Sequence, residues 1–128
     1  MTIRSTLGAA AAAAALTVTP AAAEVTLINV FAVPEGREEA VIAAWEKARD
    51  FLSREPGYID TALHRAIGPD ARFALVNIAH WQSPEAFMTA TKRMQAAGIF
   101  TPVEGLEFHP ALYRVVRSDE PEAAGGDK

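Results

Sequence analysis

Cysteine is absent from this chain, so it can hold no disulfide framework, no thiolate metal site and no lipid-anchored cysteine. Positive charge is scarce as well. There are 12 Lys and Arg against 16 Asp and Glu, without a basic cluster on any stretch, which removes the footprint a nucleic-acid surface requires. The one long apolar run, Leu7 to Val18, is too short to cross a bilayer, and no second one follows it. The three histidines, His64, His80 and His109, show no metal-ligand spacing. Nucleophile-elbow, phosphate-loop and paired-carboxylate patterns are missing too.

What is present begins with a leader. Met1 to Arg4 is a short basic start, Leu7 to Val18 an Ala-rich apolar stretch, and Ala21-Ala22-Ala23 a small-residue cleavage site before Glu24. That is the layout of a secretory signal peptide over residues 1–23, which predicts a periplasmic or secreted protein with no membrane association after cleavage. Arg4 is the only charge in that segment, so the formal charge of −4 becomes −5 without it. Residues 24–117 have the size of one domain with one modest core. Residues 118–128 are mostly Glu, Asp, Gly and Ala and predict a disordered tail.

Six elements are expected within the domain. Residues 24–33 read as a strand stopped by Pro34 and Gly36. Helical periodicity over 35–55 comes from Val41, Trp45, Ala48 and Leu52, and Pro56-Gly57 ends it. Strands are predicted over 58–67 and 72–81, joined by the Gly68-Pro69-Asp70 turn. Ser83 is an N-cap candidate with Pro84 at the first helical position, opening a helix that carries Phe87, Thr91 and Met94 on one stripe and closes near Gly98. A last strand is expected over 107–117 after the loop Ile99 to Leu106.

The order strand, helix, strand, strand, helix, strand predicts an α+β, ferredoxin-like fold: a four-stranded antiparallel sheet with two helices on one face. Its first and third strands are apolar on both sides, and helices cover only one. A second copy of the chain is the expected cover for the other face, giving a homodimer.

The third strand also carries the polar question of the sequence. Alternation puts Phe73, Leu75, Asn77, Ala79 and Trp81 on one side, with the amide and the indole roughly 13 Å apart at about 3.3 Å per residue. Asn29 on the first strand faces the same way, near Phe31. Two amides among apolar neighbours either satisfy each other and nearby backbone, or point into a cavity and bind a polar group of a ligand. His80 falls on the opposite strand face from Asn77, whereas His64 either reaches a cavity as a proton shuttle or is a surface or hydrogen-bonded histidine.

An Asn in the first strand, the run Arg-Glu-Pro-Gly-Tyr at residues 54–58, and Val-Asn-Ile-Ala-His-Trp-Gln-Ser-Pro-Glu-Ala-Phe at 76–87 together resemble the antibiotic biosynthesis monooxygenase (ABM) superfamily. The resemblance covers nearly all of Val25 to Val116. It implies a dimeric α+β barrel. Several members oxidise phenolic, quinol or anthrone-type aromatics with dioxygen and without metal or organic cofactor. In the anthrone-oxidising branch the active-site Asn and Trp match Asn77 and Trp81, a strand-two histidine matches His64, and an active-site Tyr falls on Phe87. In the haem-degrading branch the first of an Asn, Trp, His triad matches Asn29, but the other two positions fall near Ala90 and Phe100.

The activity implied is that of a cofactor-independent monooxygenase. The substrate loses a proton and its electron-rich anion reduces dioxygen, so the protein need only hold the anion dry and oriented. Asn77 would donate to the developing oxyanion, Trp81 would wall the ring, and His64 would accept the phenolic proton. Asn29, Phe87, Phe31 and Phe73 would complete the substrate pocket. The alternative is a non-catalytic dimeric protein that holds an aromatic or haem-like ligand in the same pocket.

Overall fold

The computed structural model describes residues 24–119. The predicted leader, and all but the first two residues of the predicted tail, lie outside the described residues. The elements are β1 (Val25–Ala32), α1 (Glu38–Leu52), β2 (Tyr58–Arg65), β3 (Leu75–Trp81), α2 (Pro84–Ala96) and β4 (Glu107–Tyr113). They form one antiparallel four-stranded sheet in the order β2-β3-β1-β4. The ferredoxin-like expectation holds, with the first and third strands at the centre.

Local chemistry accounts for the element ends. Pro34 to Arg37 makes a turn closed by the Arg37 N–H donating to the Pro34 carbonyl at 3.0 Å, so α1 starts three residues later than its periodicity suggests. Ser83 caps α2 as expected: its hydroxyl oxygen accepts from the Ala86 N–H at 3.1 Å, and Pro84 occupies the first turn. Gly57, at φ +90, links α1 to β2 where a Cβ would collide with the Ala86 side chain of α2. Its carbonyl accepts from the Gln82 N–H at 2.8 Å, stitching the start of β2 to the end of β3.

Alternation on the central strands divides the sheet into two faces. The inner face buries Val25, Leu27, Phe31, Leu75, Ala79 and Trp81 against Val41, Ala44 and Ala90 of the helices. The outer face carries Ile28, Val30, Val76 and Ile78, all half-buried, flanked by Ala62 and Ala111 at the exposed edge strands. Two separate apolar clusters form on the inner side. One gathers around Trp81 with Tyr58 and Phe87; the other gathers around Leu75 and Phe31 with Trp45 and Leu106.

Strand β2 contains an irregularity that matters for the site. Tyr58 pairs with Trp81 and Asp60 with His80, so Ile59 is an extra residue opposite one step of β3. Such a bulge inverts the alternation beyond it. Thr61 and Leu63 therefore share the inner face with Tyr58, and His64 turns outward.

Candidate functional site

A cavity of about 380 Å³ lies between the inner sheet face and the two helices. Its floor is made by β1 and β3, which contribute Leu27, Asn29, Phe31, Asn77, Ala79 and Trp81. The apolar stripes predicted for the helices form the roof: Val41, Trp45, Ala48 and Leu52 from α1, with Phe87, Thr91 and Met94 from α2. Phe100, Leu106, Phe108 and Pro110 close one end. The walls are thus largely aromatic and aliphatic, with a few placed polar groups, as ligand pockets generally are.

Asn77 is the most deeply set of those polar groups, 8% exposed on a strand where every alternate residue is buried. Asn29 is its direct cross-strand partner. The two amides nevertheless do not satisfy one another's oxygens. Asn77 Oδ1 instead accepts from the Thr61 hydroxyl at 2.7 Å, and Asn29 Oδ1 is buried with no hydrogen-bond partner among the described residues. An orphaned buried acceptor costs about 1–3 kcal/mol, so a fold that keeps one beside a cavity has reason to offer it to a ligand. With its oxygen held by Thr61, Asn77 presents its NH₂ group to the same space.

The aromatic wall is ordered by edge-to-face contacts. Trp81, 1% exposed, stands between Tyr58 at 5.5 Å and Phe87 at 5.7 Å, centroid to centroid. Phe31 meets Phe108 at 6.3 Å, and Phe108 meets Phe100 at 6.0 Å. Among the described residues Arg49 is the one charged side chain on the wall; its guanidinium lies over the Trp45 ring at 5.2 Å while pairing with exposed Asp50 at 3.0 Å. Burial and, secondly, the nearby Asp60 carboxylate push the Tyr58 phenol above its ordinary value, opposed by Arg49. Tyr58 is accordingly a protonated wall at neutral pH.

Of the residues singled out in the sequence, Asn77, Trp81, Asn29, Phe87 and Phe31 come together on this cavity. Two do not. His64 is exposed on the outer face, with Nδ1 3.3 Å from the Val76 carbonyl, because the bulge at Ile59 reverses its side of the strand. Phe73 lies before β3 begins and packs against His109 at 6.3 Å, so the inward alternation does not extend to it. Sequence reasoning missed Thr61, Tyr58, Trp45 and Arg49 as cavity residues. Trp45 was already on the helical stripe; Thr61 carried no signal short of the bulge. Among the described residues no group of three or more His, Cys, Asp or Glu could hold a metal ion.

The model of the family described as antibiotic biosynthesis monooxygenase matches residues 24–97. The chain belongs to that family. A protein of Shewanella loihica PV-4, provisionally assigned as a monooxygenase, is 48% identical; the match covers 75% of this chain and 97% of that one, with a TM-score of 0.68. SnoaB of Streptomyces nogalater, a cofactor-independent oxygenase, is 26% identical over 79% of this ABM chain and 100% of its own, with a TM-score of 0.58. The haem degrader MhuD of Mycobacterium tuberculosis, solved with two haems in its active site, is 22% identical over 75% and 99% of the two chains; its TM-score of 0.57 speaks to fold alone. No curated protein matches at a significant level.

Proposed function

We propose that this ABM protein oxidises a phenolic, quinol or anthrone-type aromatic with dioxygen, and that the inner-face cavity is its active site. The observation that carries the reading is the polar pair on the cavity floor: an Asn77 amide with its oxygen already engaged by Thr61, beside an Asn29 oxygen that lacks a partner among the described residues. A ring carrying a hydroxyl next to a carbonyl or phenolate oxygen supplies what both amides need. Its hydroxyl donates to Asn29 Oδ1, and its oxyanion accepts from Asn77. Trp81 and Phe87 wall the ring, and the apolar surroundings strengthen each hydrogen bond. For a ring CH₂ the overall change is CH₂ + O₂ → C=O + H₂O, with the substrate carbanion as the reductant.

The proton acceptor differs from the sequence expectation. Among the described residues no carboxylate or imidazole lines the cavity, and His64 is on the far side of the sheet. The substrate therefore enters already ionised, or loses its proton to water at the mouth. Arg49 on the wall favours the anion. The test is oxygen uptake by purified, chelator-treated protein on a panel of anthrones and hydroquinones, corrected for autoxidation. Saturable uptake that Asn77→Ala lowers by about 10²–10³ is the expected result, since removing one oxyanion donor costs that much elsewhere. Uptake unchanged by that substitution would refute the assignment.

The absence of a base on the walls also favours a second reading, ligand binding without turnover. Haem as that ligand would find no imidazole or thiolate there among the described residues, which offer iron only Tyr58, held protonated, and Met94. Two further proposals accompany the first. A second copy of the chain covers the apolar outer sheet face, which no element covers among the described residues. Export follows the layout of residues 1–23, and a mature N-terminus at Glu24, read by mass spectrometry of protein from the native host, is its test.

A further inference from the structure

We infer that Thr61 is a positioning residue that sets the polarity of the cavity floor, turning the Asn77 amide so that the protein offers a donor where the substrate carbonyl or oxyanion sits. The inference rests on the cavity and ligand class proposed above and goes beyond them in assigning the control of donor orientation to a residue on an edge strand.

An asparagine side chain rotated by half a turn about its last bond fills nearly the same volume but exchanges donor for acceptor. The apolar neighbours of Asn77, Leu63 opposite it on β2 and Leu75 and Ala79 on its own strand face, offer no hydrogen bond by which to discriminate between the two orientations. Thr61 Oγ1–H donates to Asn77 Oδ1 at 2.7 Å and to no other group among the described residues, so a reversed amide, donating to that same oxygen, would leave the hydroxyl proton without an acceptor. Thr61 is itself half-buried, and it reaches the inner face only because the bulge between Tyr58 and Asp60 shifts the register of β2. Backbone irregularity, hydroxyl and amide thus form a chain that ends at an NH₂ group facing the ligand. If the amide were reversed, two acceptors, Asn77 Oδ1 and the orphaned Asn29 Oδ1, would stand side by side and repel an oxyanion.

The test uses redox-inert ligands, so that it is independent of turnover. Fluorenone and fluorene share one shape and differ in a carbonyl acceptor. Their binding is read by quenching of tryptophan fluorescence, both tryptophans of the chain lining the cavity. Wild-type protein and Thr61→Ser are expected to prefer fluorenone by tenfold or more. Thr61→Val, which keeps the shape and removes the donor, is expected to reduce the preference to less than threefold while its melting temperature and circular dichroism confirm a folded chain. A preference retained in Thr61→Val, a Thr61→Ser variant that behaves like the valine, or a wild type without preference would each overturn the inference. Failure of oxygen uptake with the preference intact would instead remove the oxygenase reading and leave the role of Thr61 standing.

Discussion

At the scale of single residues, the strongest expectation concerns which side chains matter and which do not. His64→Ala should leave oxygen uptake within about twofold of the parent, because its ring is outside the cavity, whereas kcat/KM should rise with pH along the substrate's own ionisation rather than a histidine's. A pH–rate profile on two substrates of different acidity checks this: both curves should move with the substrate. Tyr58 gives a second pH signature. Its folded pKa is raised above 10.0 by burial first and Asp60 second, so its contribution to stability is complete below the ordinary value and is lost as pH rises past it. Urea unfolding at pH 9 and pH 11 should show a decline that Tyr58→Phe reduces. Asn77 and Trp81 were legible because β3 alternates without interruption. The misplacement of His64 and the omission of Thr61 have one cause: uninterrupted alternation from Tyr58 carries His64 inward, and the extra residue at Ile59 reverses it.

At the scale of elements, the turn chemistry was the most legible part. Ser83, Pro84 and the acidic Glu85 announced α2 to within a residue of its observed start, and the cap hydrogen bond is present. Ser83→Ala should cost about 1 kcal/mol, which for a domain of this size lowers the melting temperature by about 4–8 °C. Gly57 is the more severe case. A side chain there meets both a positive φ and the Ala86 side chain, so Gly57→Ala should cost on the order of 1–3 kcal/mol or more and displace α2 from the cavity roof. Thermal melts of the two variants side by side would rank them, with Gly57→Ala expected lower. Element ends were less legible than element identities. β4 ends at Tyr113 rather than 117: Val115 and Val116 are exposed, and β1 has no residues left to pair with them. The cavity itself left no mark in the sequence, since residues that wall it and residues that fill a core share one pattern.

At the scale of the whole molecule, the sheet with helices on one side was readable from element order, and both faces of its central strands are apolar as the alternation indicated. Covering the outer face with a second copy predicts twice the chain mass by sedimentation at micromolar concentration, and Ile78→Lys, at the centre of that face, should shift the molecule towards the monomer. The cavity between helices and sheet sits within one chain, so such a monomer should still bind a flat aromatic ketone. Oxidation by dioxygen of a ligand held in this cavity is the central proposal. It is tested most directly by binding an anthrone to the protein under nitrogen, following tryptophan quenching, and then admitting oxygen. Bound anthrone is expected to become quinone, one dioxygen consumed per ring, far faster than free anthrone autoxidises. Bound anthrone that survives oxygen as long as free anthrone does would contradict it and make the cavity a binding site alone.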